Sequence, residues 1–150
     1  MRVIVQRVSQ SKVDVNQKTV GQIGRGLLVL AGFEEVDTTD DLKWMAAKIV
    51  NLRIFADEAG VMNRPLLEVG GELLIVSQFT LHALTKKGNR PSYIKAARPE
   101  LAKSLYDSFV AECKKLIDAP VACGVFGADM QVSLINDGPV TIFIDSKNKE

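Results

Sequence analysis

The chain has one histidine, His82, and two cysteines, Cys113 and Cys123. A Ser-His-Asp or Cys-His device must therefore use His82 or be absent. These three residues lie far apart with no paired spacing, so a zinc site of the His/Cys type is nearly ruled out and no metal is expected. There is no Gly-x-x-x-x-Gly-Lys-Ser/Thr and no Gly-x-Gly-x-x-Gly opening a helix, so no nucleotide cofactor is expected. Gly24-Arg25-Gly26 precedes an apolar run and reads as a turn. No apolar stretch approaches the roughly 20 residues of a membrane helix, so no membrane partner is expected. "MRVIVQRV" is too short and too interrupted by charge for a signal peptide. The expected compartment is the cytoplasm, with both cysteines as reduced thiols. Asp40-Asp41 and Asp57-Glu58 read as a helix start and a solvated loop, not as acid/base pairs. Net charge is only +1, so a polyanion partner would have to be met by a local patch.

What is present is an average globular composition, 47% hydrophobic and 25% charged over 150 residues, which predicts one domain covering 1–150. "MRVIVQRVSQSKVDV" alternates as one or two strands, Asn16 to Lys18 as a hairpin loop, and "TVGQIG" as the return strand. "GLLVLAGF" reads as a fully buried strand ending in Gly32. Thr38-Thr39-Asp40-Asp41 starts a helix that buries Leu42, Met45, Ala46, Ile49 and Val50. "LRIFAD" is a short strand and "NRPLLEVGG" a loop. Arg98-Pro99-Glu100 starts a second helix, with Leu101, Leu105, Phe109, Cys113, Leu116 and Ile117 as its buried stripe. "VACGVFG", "MQVSLIN" and "PVTIFID" read as strands, the last two joined by an Asp137-Gly138 hairpin turn. The tail from Ser146 to Glu150 reads as loose. The expected fold is α+β: a largely antiparallel, curled, barrel-like sheet with two main helices packed outside.

Three stretches carry chemistry. Leu73 to Val76 is a buried strand that turns polar without a turn signal, into Ser77-Gln78-Phe79-Thr80-Leu81. Buried polar groups without partners cost roughly 1–3 kcal/mol, so they have protein partners or wait for a ligand. Backbone N–H groups there could hold an oxyanion, and Thr80 could orient a water or attack. His82 lies two residues on, on the same face if the strand continues. Next, Lys86, Lys87, Arg90, Lys95 and Arg98 occupy a stretch with no acid between Ala83 and Pro99. That is a solvated loop or a phosphate-contacting rim, with Tyr93 placed to stack on a base. Third, Pro139 directly after Gly138 is unusual inside a strand pair, because proline cannot donate to a ladder.

"SQFTL" at 77–81 and "NDGPVT" at 136–141 together resemble the signature motifs of the D-aminoacyl-tRNA deacylase family, and the resemblance runs from "MRVIVQRV" to "GPVTIFID". It implies hydrolysis of the ester between a D-amino acid and the 3′-terminal adenosine of tRNA, with no cofactor. It implies a homodimer with the active site at the subunit interface, where a cis Gly138-Pro139 reaches into the other subunit and excludes L-amino acids. It implies a site floor of Ser77, Gln78, Phe79 and Thr80, with Arg7 supporting the Gly-Pro motif; the basic stretch itself then offers Lys86, Lys87, Arg90 and Tyr93 as tRNA contacts. Catalysis would be partly assisted by the RNA's own 2′-hydroxyl, and glycyl-tRNA would be a substrate. Two rival readings share these residues: a non-catalytic RNA-binding dimer module, and a small-molecule esterase using Thr80 with His82.

Overall fold

The computed structural model describes residues 1–150. Strand β1 (Arg2–Val15) is the spine of the main sheet. One edge of it is shared by β2 (Lys18–Ile23) and β3 (Gly26–Gly32), both antiparallel to it. Its other edge is covered by β8 (Gln131–Asp145), also antiparallel. Beyond β3 the direction rule changes. β6 (Glu72–Ser77) pairs β3 in parallel, and β7 (Val121–Cys123) pairs β6 in parallel. The sheet curls until β2 meets β7, where a Cβ on Gly21 would stand 2.4 Å from the carbonyl oxygen of Cys123. Only glycine lets the two backbones approach that closely. Strands β4 (Phe55–Ala56) and β5 (Met62–Arg64) form a separate small hairpin.

The curl explains why β3 and β6 are apolar on both faces. Leu27, Val29, Leu73 and Ile75 face the main core under the helices, while Leu28, Leu74 and Val76 fill a smaller core with Val8, Val13 and Ile23. Helix α1 (Thr39–Asn51) begins with a capping box: the Thr38 hydroxyl accepts from the Asp41 amide, and the Asp41 carboxylate accepts from the Thr38 amide at 2.8 Å. It buries Leu42, Met45, Ala46, Ile49 and Val50, the face its periodicity predicts. Helix α2 (Pro99–Leu116) packs beside it with proline in its first turn.

The α+β class and the curled sheet follow the expectation, with two parallel pairs added to it. Other details differ. The buried face of α2 is Ala102, Tyr106, Phe109, Val110 and Cys113, while Leu101 and Leu116 are exposed. Tyr106 decides the rotation: its ring meets Phe33 edge-on, and its hydroxyl donates to the Ile75 carbonyl at 2.7 Å. A stripe chosen on leucines passes over a tyrosine whose polar tip has a buried acceptor. Asp137-Gly138 is not a hairpin turn. Both halves of β8 pair the same strand β1, and residues 137–140 bulge out opposite the single residue Arg7. The tail is tied down as well. Ser146 is buried, its amide donating to the Met1 carbonyl at 2.9 Å, and Lys147 pairs with Asp41. Burial opposes ionisation of Asp41, but the hydrogen bonds from Lys147 and Thr38 outweigh it and hold the carboxyl well below the usual range.

Candidate active site

The parallel trio β3-β6-β7 sends three chain ends to one edge of the barrel. In sheets with parallel strands, ligands gather in the crevice at the carboxyl ends. Here a cleft of about 430 Å³ opens at that edge, between Phe33 after β3, Ser77 to Phe79 after β6, and Phe126 after β7. Tyr93, Ala97 and Arg98 close its outer side.

The floor is made where β6 stops. The Gln78 amide still bonds the Ala31 carbonyl at 2.7 Å, and then the chain winds into a 3-10 turn over Phe79–His82. Gly32 makes room for that turn: a Cβ there would lie 2.6 Å from the Gln78 carbonyl oxygen. Arg2 reaches across from β1 to donate to the Leu81 carbonyl at 3.1 Å. The first N–H groups of a helical turn have no acceptor within it. Accordingly, the Phe79 and Thr80 amides have no acceptor within the turn, and no side chain caps it. The Gln78 side-chain amide donates to the Thr80 hydroxyl, fixing its orientation. Phe79 is more than half exposed and meets Tyr93 edge-on at 5.1 Å between ring centres. Phe79 and Gln78 thus line the cleft, and Thr80, with its oriented hydroxyl, is the next residue of the turn, outside the lining.

The strand does not continue past Ser77, so the expected Thr80/His82 face does not form. His82 ends the turn pointing into the protein, 0% exposed. Its Nδ1 lies 3.2 Å from a Glu34 carboxylate oxygen, but neither ring nitrogen has a partner in hydrogen-bonding direction. The imidazole therefore does not serve Thr80. Neither thiol is poised as a nucleophile. Burial, with Cys123 and Glu112 nearby, pushes the Cys113 thiol up to about 12. Burial also raises Cys123, although the Tyr106 hydroxyl partly offsets it. Burial likewise raises the Tyr106 phenol, which stays a donor to Ile75. No three His, Cys, Asp or Glu side chains gather to hold a metal ion.

The second motif lies elsewhere. The Gly138-Pro139 peptide is cis, and the bulge carrying it is exposed. Gly138 sits at φ +148, a region that favours glycine. Arg7 holds the bulge: its Nε donates to the Asp137 carbonyl at 2.8 Å, and Nη1 donates to the Ile54 carbonyl. Asn136 adds a bond from the Val140 amide to its own side-chain oxygen at 2.7 Å. Within one chain this motif is remote from Thr80. Opposite Arg7 on β3 is Leu27, while Ser77 pairs Ala31 on the far side of β3. Four residues along and three strands across amount to roughly 15–20 Å.

Lys86, Lys87 and Arg90 are exposed on a loop closed at its base by a Leu84–Ser92 bridge. Tyr93 leads from that loop back to the cleft. Arg98, part of the basic stretch, lines the cleft, as do Gly32, Phe33 and Phe126, which the sequence does not single out; nothing in the local pattern of Phe33 or Phe126 marks an open site.

The D-Tyr-tRNA(Tyr) deacylase family matches the chain over residues 4–145. A protein of Dechloromonas aromatica called D-aminoacyl-tRNA deacylase is 62% identical over 150 residues, covering 100% of both chains. One of Chromobacterium violaceum with the same name is 61% identical at the same coverage. A solved structure described as c-Myc DNA Unwinding Element Binding Protein superposes with a TM-score of 0.92 at 41% identity, covering 97% of this chain and 98% of its own. A probable eukaryotic D-amino acid tRNA deacylase superposes at 0.80 with 23% identity, over 95% and 97% of the two chains, and shares the fold. With a family match spanning nearly the whole chain and relatives this similar end to end, the chain belongs to the D-Tyr-tRNA(Tyr) deacylase family.

Proposed function

We propose that this protein hydrolyses the ester of D-aminoacyl-tRNA, releasing the D-amino acid and the tRNA. The observation that carries the reading is the 3-10 turn at the end of β6: its first amides, Phe79 and Thr80, have no acceptor within the turn, and Phe79 lines an apolar cleft. A water attacks the ester carbonyl carbon, the carbonyl oxygen takes up negative charge, and the two amides receive it. The C–O bond to the ribose then breaks, and the 3′-oxygen leaves with a proton. Losing one such donor typically costs about 10²–10³ in rate.

Thr80 orients; it is not an obligate nucleophile. Its hydroxyl accepts from Gln78 and has no base beside it. The 2′-hydroxyl next to the scissile ester can position the water instead. Thr80→Ala is therefore expected to keep measurable turnover, with a loss below about 10²-fold in kcat. A folded but inactive Thr80→Ala protein would make the hydroxyl essential.

Chirality is read by exclusion, with the carbonyls of Gly138 and Pro139 occupying the place an L side chain needs. Because this motif and Thr80 are remote in one chain, it acts on the cleft of a second copy, in a homodimer. Strand β8 supports that arrangement. It is paired only with β1, and it exposes Ile135 and Phe143. An open edge carrying exposed apolar residues is a surface that pairs. Glycine has hydrogen on both sides of its Cα and offers nothing to exclude. Glycyl-tRNA is therefore expected to be hydrolysed, and its complete resistance in excess enzyme would count against steric exclusion.

A further inference from the structure

The amides proposed to receive the ester's charge sit on a turn that holds itself poorly. Its internal bonds run from the Leu81 amide to the Gln78 carbonyl at 3.3 Å and from the Ala83 amide to the Thr80 carbonyl at 3.1 Å. A 3-10 turn has poorer hydrogen-bond geometry than an α-helix, so this one takes its orientation from what grips it outside. Its entry is gripped by the β3 backbone, through the Gln78 amide on the Ala31 carbonyl. Its exit is gripped by Arg2, whose Nη1 donates to the Leu81 carbonyl.

The register places Arg2 for this grip. It stands opposite Gly32 on β3 and opposite Asp145 on β8. Directly opposed residues of antiparallel strands carry their side chains on one face. Arg2 therefore emerges on the face where Gly32 admits the turn, because a Cβ at Gly32 would meet the Gln78 carbonyl, the His82 ring and Leu81. On its other side, Asp145 accepts from Arg2 Nε at 2.8 Å, with 28% of the arginine side chain exposed and 11% of the aspartate's. Burial opposes ionisation of Asp145, but the hydrogen bonds from Arg2 and the Lys147 amide outweigh it and hold the carboxyl below the usual range. A guanidinium is a rigid planar fork, so fixing Nε on the carboxylate fixes where Nη1 points. We propose that Arg2, oriented by Asp145, is a positioning residue: it holds the Leu81 carbonyl so that the Phe79 and Thr80 amides meet the charge developing on the ester oxygen. The inference rests on the deacylase reading and deepens it. Arg2 acts from behind the turn and does not line the cleft.

The test measures kcat and KM on D-tyrosyl-tRNA, with a urea melt for each protein, for the unaltered chain, Arg2→Met, Arg2→Lys and Asp145→Asn. Arg2→Met keeps the aliphatic stem and loses the fork. Misplacing a reacting geometry by about 1 Å can cost about 10²-fold, and losing one of two grips moves the turn by less. Its kcat is therefore expected to fall about tenfold, with KM within about twofold, because the cleft walls that bind the ground state are untouched. Arg2→Lys supplies a point donor that cannot serve Asp145 and Leu81 together, and it is expected to recover less than about half of the loss. Asp145→Asn leaves the Leu81 bond but loosens the fork, for a fall in kcat of about threefold. The backbone amide NMR shifts of Phe79 and Thr80 are expected to move in Arg2→Met while those of α1 stay in place. A folded Arg2→Met with unchanged kcat would overturn the proposal. So would a lowered kcat with unmoved Phe79 and Thr80 shifts, or a raised KM at unchanged kcat. If Arg2→Met does not fold, an unchanged kcat in Asp145→Asn would overturn it. No hydrolysis by the unaltered protein would instead overturn the deacylase reading beneath it.

Discussion

Gly138→Ala is expected to collapse the preference for D over L esters by at least about tenfold while the barrel stays folded. An added Cβ would stand 2.8 Å from the Val140 side chain, 2.9 Å from the Val140 amide nitrogen and 3.2 Å from the Arg7 guanidinium. Two of those neighbours cannot retreat freely, since the Val140 amide is bonded to Asn136 and Arg7 is anchored at Ile54. The backbone at φ +148 also disfavours any L residue. The cost is about 1–3 kcal/mol, concentrated in the bulge. The carbonyls proposed to exclude an L side chain must then move, whereas the β1–β8 ladder on either side of the bulge does not depend on them. Parallel rates on D- and L-tyrosyl-tRNA, with a urea melt to confirm folding, check this. A folded variant with the original D/L ratio would remove Gly138 from chiral selection.

Phe109→Ala is the largest expected stability loss, about 3–5 kcal/mol. Phe109 is 0% exposed and sits edge-on to Phe33 at 6.3 Å, joining α2 to the end of β3. Removing the ring leaves a cavity between two elements that are fixed by other contacts: Tyr106 bonded to Ile75, and Ala97 bonded to Phe33. Collapse around the hole is therefore limited, and the full cavity penalty stays. With a urea m-value of about 1–3 kcal/mol per molar, the midpoint falls by at least about 1 M. A loss under about 1 kcal/mol would mean that the α2–β3 contact is not the centre of the core.

How far the sequence speaks depends on whether a feature is local. The face of α1, its capping Thr38 and the doubly buried strands β3 and β6 are written in near neighbours, and they form as read. The rotation of α2 is not local, because it is set by an acceptor on β6 that Tyr106 finds across the core. Asp137-Gly138 carries a hairpin signature, yet the partner strand is β1, which lies over a hundred residues away in sequence. The polar end of β6 was legible as an anomaly. Its cause, a 3-10 turn admitted by Gly32, was not, because the closeness of residues 32 and 78 is a product of parallel pairing. His82 shows the same limit. Two positions from Thr80 in the chain, it faces the opposite way, toward Glu34. The two motifs pointed to a family, but only the register places them too far apart to work within one chain.

The most direct test of the account follows amino-acid release from D-tyrosyl-tRNA and L-tyrosyl-tRNA side by side at low enzyme. The account predicts rapid loss of the D ester with the L ester spared. Equal hydrolysis of both would leave an esterase without a chiral gate. Hydrolysis of neither, with tRNA still bound, would contradict the deacylase function and leave an RNA-binding protein.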